Sequence, residues 1–337
     1  MPLHDVGYRA WEGERTSLFG RWSIVARTGV RLAFASTWLN RTLILSFVPA
    51  IVFGVIFFFF EQSIVNVEYR EFFAGMVMAS GSSSELAVSV ARDPESVRHE
   101  VWSSLLMTFF RNPQAIAMLV VVALVAPKLI AADLRNRGYL LYFSRPLSLP
   151  GYIFGKALVI WAFLAMITTI PALFLYGLGL CLSPDVTVLL TTWDLPIRIL
   201  AASLVLMIPV SMIALACSAL TIETRYAAFA WFAIWTVGWL SYTVLFFGET
   251  AGRSGRPGVR RFERIGGGEE DIPTVQILRQ SDWELLSPFH TLGRVQQYVF
   301  GVYPDEKSIL PYVLVLVFIS AACYWFVRRR MLARLQA

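Results

Sequence analysis

Charge is what this sequence has least of. Only 15% of its 337 residues are Asp, Glu, Lys or Arg, while 57% are hydrophobic, and so few charges cannot clothe a soluble body of that length. Cysteine is scarcer still. Cys181, Cys217 and Cys323 lie in apolar runs at no ligand-like spacing, so neither a disulfide framework nor a zinc site is indicated. His4, His99 and His290 are far apart and form no HExxH-like pair, which reads as three solvated or interfacial residues. A phosphate-binding loop is missing too: Gly151 to Ala157 (GYIFGKA) is one residue short and has Ala157 where a metal-binding hydroxyl belongs. The chain also lacks a Gly-x-Ser-x-Gly elbow and paired intramembrane Asp residues, leaving a hydrolase little to work with. No short-period repeat is present. No cleavable signal is expected either, because Arg9, Arg15, Arg21, Arg27 and Arg31 interrupt the first forty residues and no Ala-x-Ala site follows.

What is present is membrane. Six largely uncharged windows approach the ~20 apolar residues a helix needs to cross hydrocarbon: Thr42 to Phe60, Ala115 to Ala132, Ala157 to Leu182, Ile199 to Leu220, Tyr226 to Phe247 and Ser308 to Val327. The expected fold is all-α, a polytopic membrane protein with six transmembrane helices, an N-terminal interfacial helix and two extracytoplasmic segments. Its divisions are a cytoplasmic N-terminus (1–42), the six-span domain (43–327) and a cytoplasmic tail (328–337). The formal charge of +6 comes from residues at membrane edges, so it orients the chain and does not indicate nucleic acid. Arg-rich termini predict that both ends are cytoplasmic. The first outer loop (61–114) fits this, since Glu61 to Arg111 carries four basic and seven acidic residues. The second (248–307) is long enough to translocate despite eight basic residues.

Finer elements follow from spacing. Arg21 to Asn40 reads as a helix in the interface, with Trp22 and Trp38 as anchors and Arg27 and Arg31 on one face. Asp93-Pro94-Glu95 reads as a helix start leading through Val97, Val101, Leu105 and Phe109 to a stop at Asn112-Pro113, lying on the outer membrane surface. Leu292, Val295 and Val299 predict a second amphipathic helix near the outer interface. Lys128 is the one charge expected inside a span, either snorkelling to the near edge or serving transport. With no buried carboxylate relay, ion-coupled transport is disfavoured. Trp231, Trp235, Trp239 and Tyr242 share a face of the fifth span, as packed or lipid-facing bulk or as the lining of a translocation path for an amphipathic or sugar-bearing substrate. Ala214 and Ser218 form a small-residue seam in the fourth span.

The stretch Lys128 to Lys156 organises the rest. Five basic residues against Asp133 place it on the cytoplasmic side. Asp133 is expected to cap a short helix through Leu134, Tyr139, Leu141, Tyr142 and Phe143 that Pro146 stops, and to pair with Arg137. Such a helix between two spans is a docking element. Its aromatics have a second reading, as anchors at headgroup level.

The order Asp133-Leu-Arg-Asn-Arg-Gly138, Leu141-Tyr-Phe-Ser144-Arg145-Pro146, Tyr152 and Gly155-Lys156 resembles the cytoplasmic coupling segment of ABC transporter permeases of the type-2 exporter class. The six-span plan, the interfacial helix and the large outer segment before the last span extend the likeness over most of the chain. Leu149-Pro150-Gly151 departs from it, since relatives often carry a basic residue there. The resemblance implies a permease subunit in the bacterial cytoplasmic membrane, an exporter of an amphipathic, lipid-linked or peptide-like substrate. It implies a second permease copy or paralogue as dimer partner, surrounding lipid, and a separate ATP-binding cassette subunit that holds ATP and Mg. It implies as well that this chain binds no cofactor and is no enzyme by itself. The implied docking residues are Asp133, Arg135, Arg137, Tyr139, Tyr142, Phe143, Ser144, Arg145 and Pro146, helped by the N-terminal helix and the Thr221 to Arg225 turn. Two rivals stay open: a membrane enzyme or assembly factor with an outer-face site in Asp282 to Gly301, and an ion-coupled secondary transporter.

Overall fold

A computed structural model of the chain describes residues 20–79, 84–144, 147–183, 185, 187–254, 282–303 and 308–336. Among them every regular element is helical, and six helices are long and apolar enough to cross a membrane. These spans are Thr37–Val65, Arg98–Arg135, Leu149–Leu182, Leu195–Leu220, Thr224–Leu245 and Leu310–Gln336. All six expected windows fall on them, and proline explains most of the internal breaks. Pro49, Pro113 and Pro127 lack the N–H that would continue a helical ladder, and the first two spans restart or tighten beside them. In the third span the turn before Pro171 widens to a π-helix over Ala165–Thr169.

The fourth span is the hub. It packs against the third, fifth and sixth spans and against the helix Pro288–Phe300, and its polar residues mend the breaks in its neighbours. Ser218 Oγ accepts the Ile130 and Ala131 N–H groups, at 3.1 and 3.0 Å, where the second span is interrupted. Ser211 Oγ accepts from Trp161 Nε1 at 3.0 Å, and Thr169 donates to Ser203 Oγ at 2.8 Å beside the π turn. Each bond satisfies a buried polar group that lipid could not. The seam at Ala214 and Ser218 therefore does more than pack. The fifth and sixth spans, by contrast, are largely exposed.

The N-terminal helix is shorter than expected, Arg21–Phe34, and a new helix starts at Thr37. It lies along the third span, with Arg27 and Arg31 exposed and Val25 buried. Gly155 permits the approach: a Cβ there would stand 2.9 Å from the Trp22 carbonyl oxygen.

The two helices expected on the outer membrane surface are both largely buried in the bundle and do not lie on its surface. Asp93 forms a local turn, accepting from Glu95 N at 3.2 Å, and the helix begins at Arg98 as the first part of the second span. Its Val101, Trp102, Leu106 and Phe109 are buried, with Trp102 set edge-on to Phe57 of the first span and Tyr176 of the third. In the helix Pro288–Phe300, Leu292 and Val295 are buried against the bundle. Periodicity identified an apolar face in each case; protein, not lipid, covers it.

Candidate functional site

The segment joining the second and third spans is built from two short helices, Ala131–Arg135 and Tyr139–Phe143. Between them Arg137 adopts a left-handed conformation at φ 54°, and the Gly138 N–H closes the first helix on the Asp133 carbonyl at 2.8 Å. The chain thereby folds back over the start of the third span. A non-glycine residue in that conformation costs roughly 1–2 kcal/mol, so the contacts that follow must over-determine it.

Asp133 is their centre. The expected cap is not formed, because Asp133 lies within the first short helix, and its partner is Lys156 in place of Arg137. Lys156 Nζ and the Tyr152 hydroxyl both reach Asp133 Oδ2 at 2.7 Å. The lysine side chain is 6% exposed and the carboxylate 17%. The ammonium also sits over the Tyr142 and Tyr152 rings, 5.3 and 5.4 Å from their centroids, and the ring attracts the cation. Tyr142 and Phe143 in turn pack on Tyr152 at 5.4 and 5.6 Å. Burial, and then the Asp133 charge, push the Tyr142 phenol above its ordinary pKa.

Five residues of helix cannot face two ways. With Tyr139, Tyr142 and Phe143 partly buried against the core, the side turned outward carries Leu140 and Leu141, at 50% and 75% exposure. Around them Arg135, Arg137 and Ser144 are exposed, and Arg135 Nη1 lies 4.0 Å from Glu223 in the turn between the fourth and fifth spans. Arg145 and Pro146 fall outside the described residues. The structure thus brings the expected segment and the Thr221 to Arg225 turn to one surface. It adds Leu140, and it gives Tyr152 and Lys156, read from the sequence only as part of the motif, their partner in Asp133. That Lys156 needs such a partner follows from its place one helical turn after Tyr152 at the edge of an apolar run.

The aromatic face of the fifth span divides. Trp231 and Trp235 are buried, and Trp231 Nε1 donates to the Leu119 carbonyl at 2.9 Å. Trp239 is 51% exposed, and Tyr242 stacks on His290 with ring centroids 3.8 Å apart.

Charges inside the bundle are more numerous than the sequence suggested. Lys128 is exposed, whereas Glu61 in the first span is buried, accepts from Trp102 Nε1 at 3.0 Å and lies 3.6 Å from Arg98. Just before and within the helix Pro288–Phe300, Glu284 pairs with Arg294 at 2.5 Å. His290 is buried also, and burial, reinforced by Arg111, lowers its pKa to about 4. Asp194 shows the reverse balance: burial opposes its ionisation, but hydrogen bonds from His99 and Arg198 bring its pKa below the usual carboxylate value. Glu61, Glu284 and Asp194 each lie beside a cationic side chain. Among the described residues no cluster of three or more His, Cys, Asp or Glu could hold a metal ion.

The buried Asp133–Lys156 pair ties the short exposed helix Tyr139–Phe143 to the start of the third span. No curated protein and no solved structure matches the chain significantly. Residues 41–329, from the first span to the arginine-rich tail, match the model of the ABC-2 family transporter protein, and the chain belongs to that family.

Proposed function

We propose that this chain is the membrane-spanning permease subunit of an ATP-driven exporter, moving an amphipathic, lipid-linked or peptide-like substrate with ATP hydrolysed by a separate subunit. Membership of a membrane transport family supports the coarser part of this reading. The observation that carries the finer part is the Asp133–Lys156–Tyr152 junction. It ties the outward-facing Leu140 and Leu141 to the third span, so a partner that pulls on the short helix also moves the span. A loop anchored only by lipid would need no buried ion pair.

The ATP-binding cassette partner would dock on Leu140, Leu141, Arg135, Arg137 and Ser144, with Tyr139, Tyr142 and Phe143 backing them from within. ATP and Mg belong to that partner. The exposed fifth and sixth spans leave apolar surface for a second permease copy and for lipid. By charge, the docking end and both termini face the cytoplasm of a bacterial cell. Coexpression with a candidate ATP-binding cassette subunit from the same organism tests the reading. The purified chain alone should hydrolyse no ATP, and proteoliposomes should transport only when both subunits are present. Transport by the chain alone, driven by an ion gradient, would refute it.

A further inference from the structure

The first and third spans part along one side of the bundle and leave a groove of about 630 Å³ between them. Residues of Phe47 to Phe58 form one wall and residues of Ile170 to Leu182 the other, and all that line it are apolar. Ala50, Gly54 and Pro171 make its floor, for they line the groove and are buried. Ile51 and Phe174 stand at its rim, 68% and 67% exposed. The floor is low because Ala50 and Gly54, four residues apart on one helix face, carry no more than a methyl group. Even a Cβ on Gly54 would stand 3.2 Å from Leu178 Cδ2 on the opposite wall.

Size decides what can lie there. At 1.5 Å per residue the two helical walls give the groove a length of about 17 Å, which is close to half of a ~30 Å hydrocarbon core and so to the reach of a chain from one leaflet. Spread over that length, the volume leaves a cross-section of about 40 Å², or roughly 7 Å across. A helix from a second copy, about 10–12 Å wide with its side chains, is too broad to enter. A polar substrate group would meet no side chain with which to form a hydrogen bond. A single hydrocarbon chain satisfies both limits.

We propose that this groove is a binding site for one acyl chain of a bilayer phospholipid. With no polar or charged side chain in its lining it reads a chain and not a headgroup, so the abundant membrane lipid, and not the transported molecule, is its ligand. The surrounding bilayer is as apolar as the groove, and the chain is therefore held by its packing against the two walls. It fills the gap between the first and third spans where side chains do not. The site is independent of the docking assignment.

The full chain, reconstituted in phosphatidylcholine vesicles doped with a phosphatidylcholine whose acyl chain carries a diazirine, provides the test. After irradiation, peptide mass spectrometry compares matched residues: Phe174 with Phe318, and Ile51 with Val317, the second of each pair being similarly exposed on the sixth span. Adducts in the groove should be enriched about fivefold, as the usual strength of packing contacts within membranes gives. Gly54→Leu raises the floor and Val55→Trp narrows the mouth, and each should bring labelling at Ile51 and Phe174 down to the sixth-span level. Circular dichroism verifies the fold of each variant, and the wild-type map carries the test if neither folds. Equal labelling of the matched pairs would make the groove ordinary lipid-facing surface and overturn the assignment. Labelling at Ile51 and Phe174 below the sixth-span level would overturn it too, marking a second copy of the chain across the groove. So would undiminished enrichment in either folded variant.

Discussion

Lys156 Nζ lies 2.7 Å from Asp133 Oδ2, so the segment that leaves the second span is pinned to the beginning of the third by a buried ion pair. Removing one partner strands the other. Lys156→Met should cost about 3–5 kcal/mol, the usual penalty for an uncompensated buried charge. Asp133→Asn combined with Lys156→Met, which leaves two neutral side chains, should recover much of the loss. Thermal melts of the three proteins in detergent measure both effects, and equal melting temperatures for all would contradict the pairing.

The approach of the N-terminal helix depends on Gly155. A Cβ at this position would lie 2.9 Å from the Trp22 carbonyl oxygen and 3.0 Å from Val25 Cβ, and backbone cannot yield as a flexible side chain can. Gly155→Val should therefore loosen Arg21–Phe34 from the third span. Limited trypsin digestion reads this directly, through faster cleavage at the exposed Arg27 and Arg31 in the variant than in the wild type.

His290 makes the outer helix sensitive to acid. Its pKa falls from 6.5 when unfolded to about 4 in the folded chain, so between those values the unfolded state binds the extra proton. The stability it permits is complete above pH 6.5 and declines as the pH falls toward 4. Asp194, with its pKa held below 3.8, titrates beneath that window. Wild type should lose melting temperature between pH 7 and 5 more steeply than His290→Gln, and parallel curves would contradict the assignment.

Much of the fold could be read from hydropathy because a span has to be apolar throughout: all six windows fall on helices. Which surface covers an amphipathic face was less accessible. Val101 and Phe109, or Leu292 and Val295, have the same spacing whether they meet lipid or protein. The segment between the second and third spans stood out by its charge and aromatic content, but its geometry did not. The expected pair Asp133 and Arg137 are close in sequence, whereas the observed pair Asp133 and Lys156 meet only after the left-handed turn at Arg137 reverses the chain. For the same reason Tyr142 and Phe143, the natural candidates for contact with a partner, turn inward onto Tyr152, and two leucines take their place outside. The buried pair Glu61 and Arg98 escaped notice because each stands at the edge of its apolar run.

The central claim is that Leu140 and Leu141 present the docking surface. Exposed as they are, Leu140→Glu with Leu141→Glu should leave the fold intact, since surface substitutions usually change stability by no more than about 0.5 kcal/mol. The decisive measurement is retention of the ATP-binding subunit by the tagged permease, with the permease's melting temperature recorded alongside. The account predicts an unchanged melting temperature and at least about a tenfold loss of retained partner, as expected when central apolar contacts of an interface become charged. Full retention of the partner by a folded double variant would contradict it.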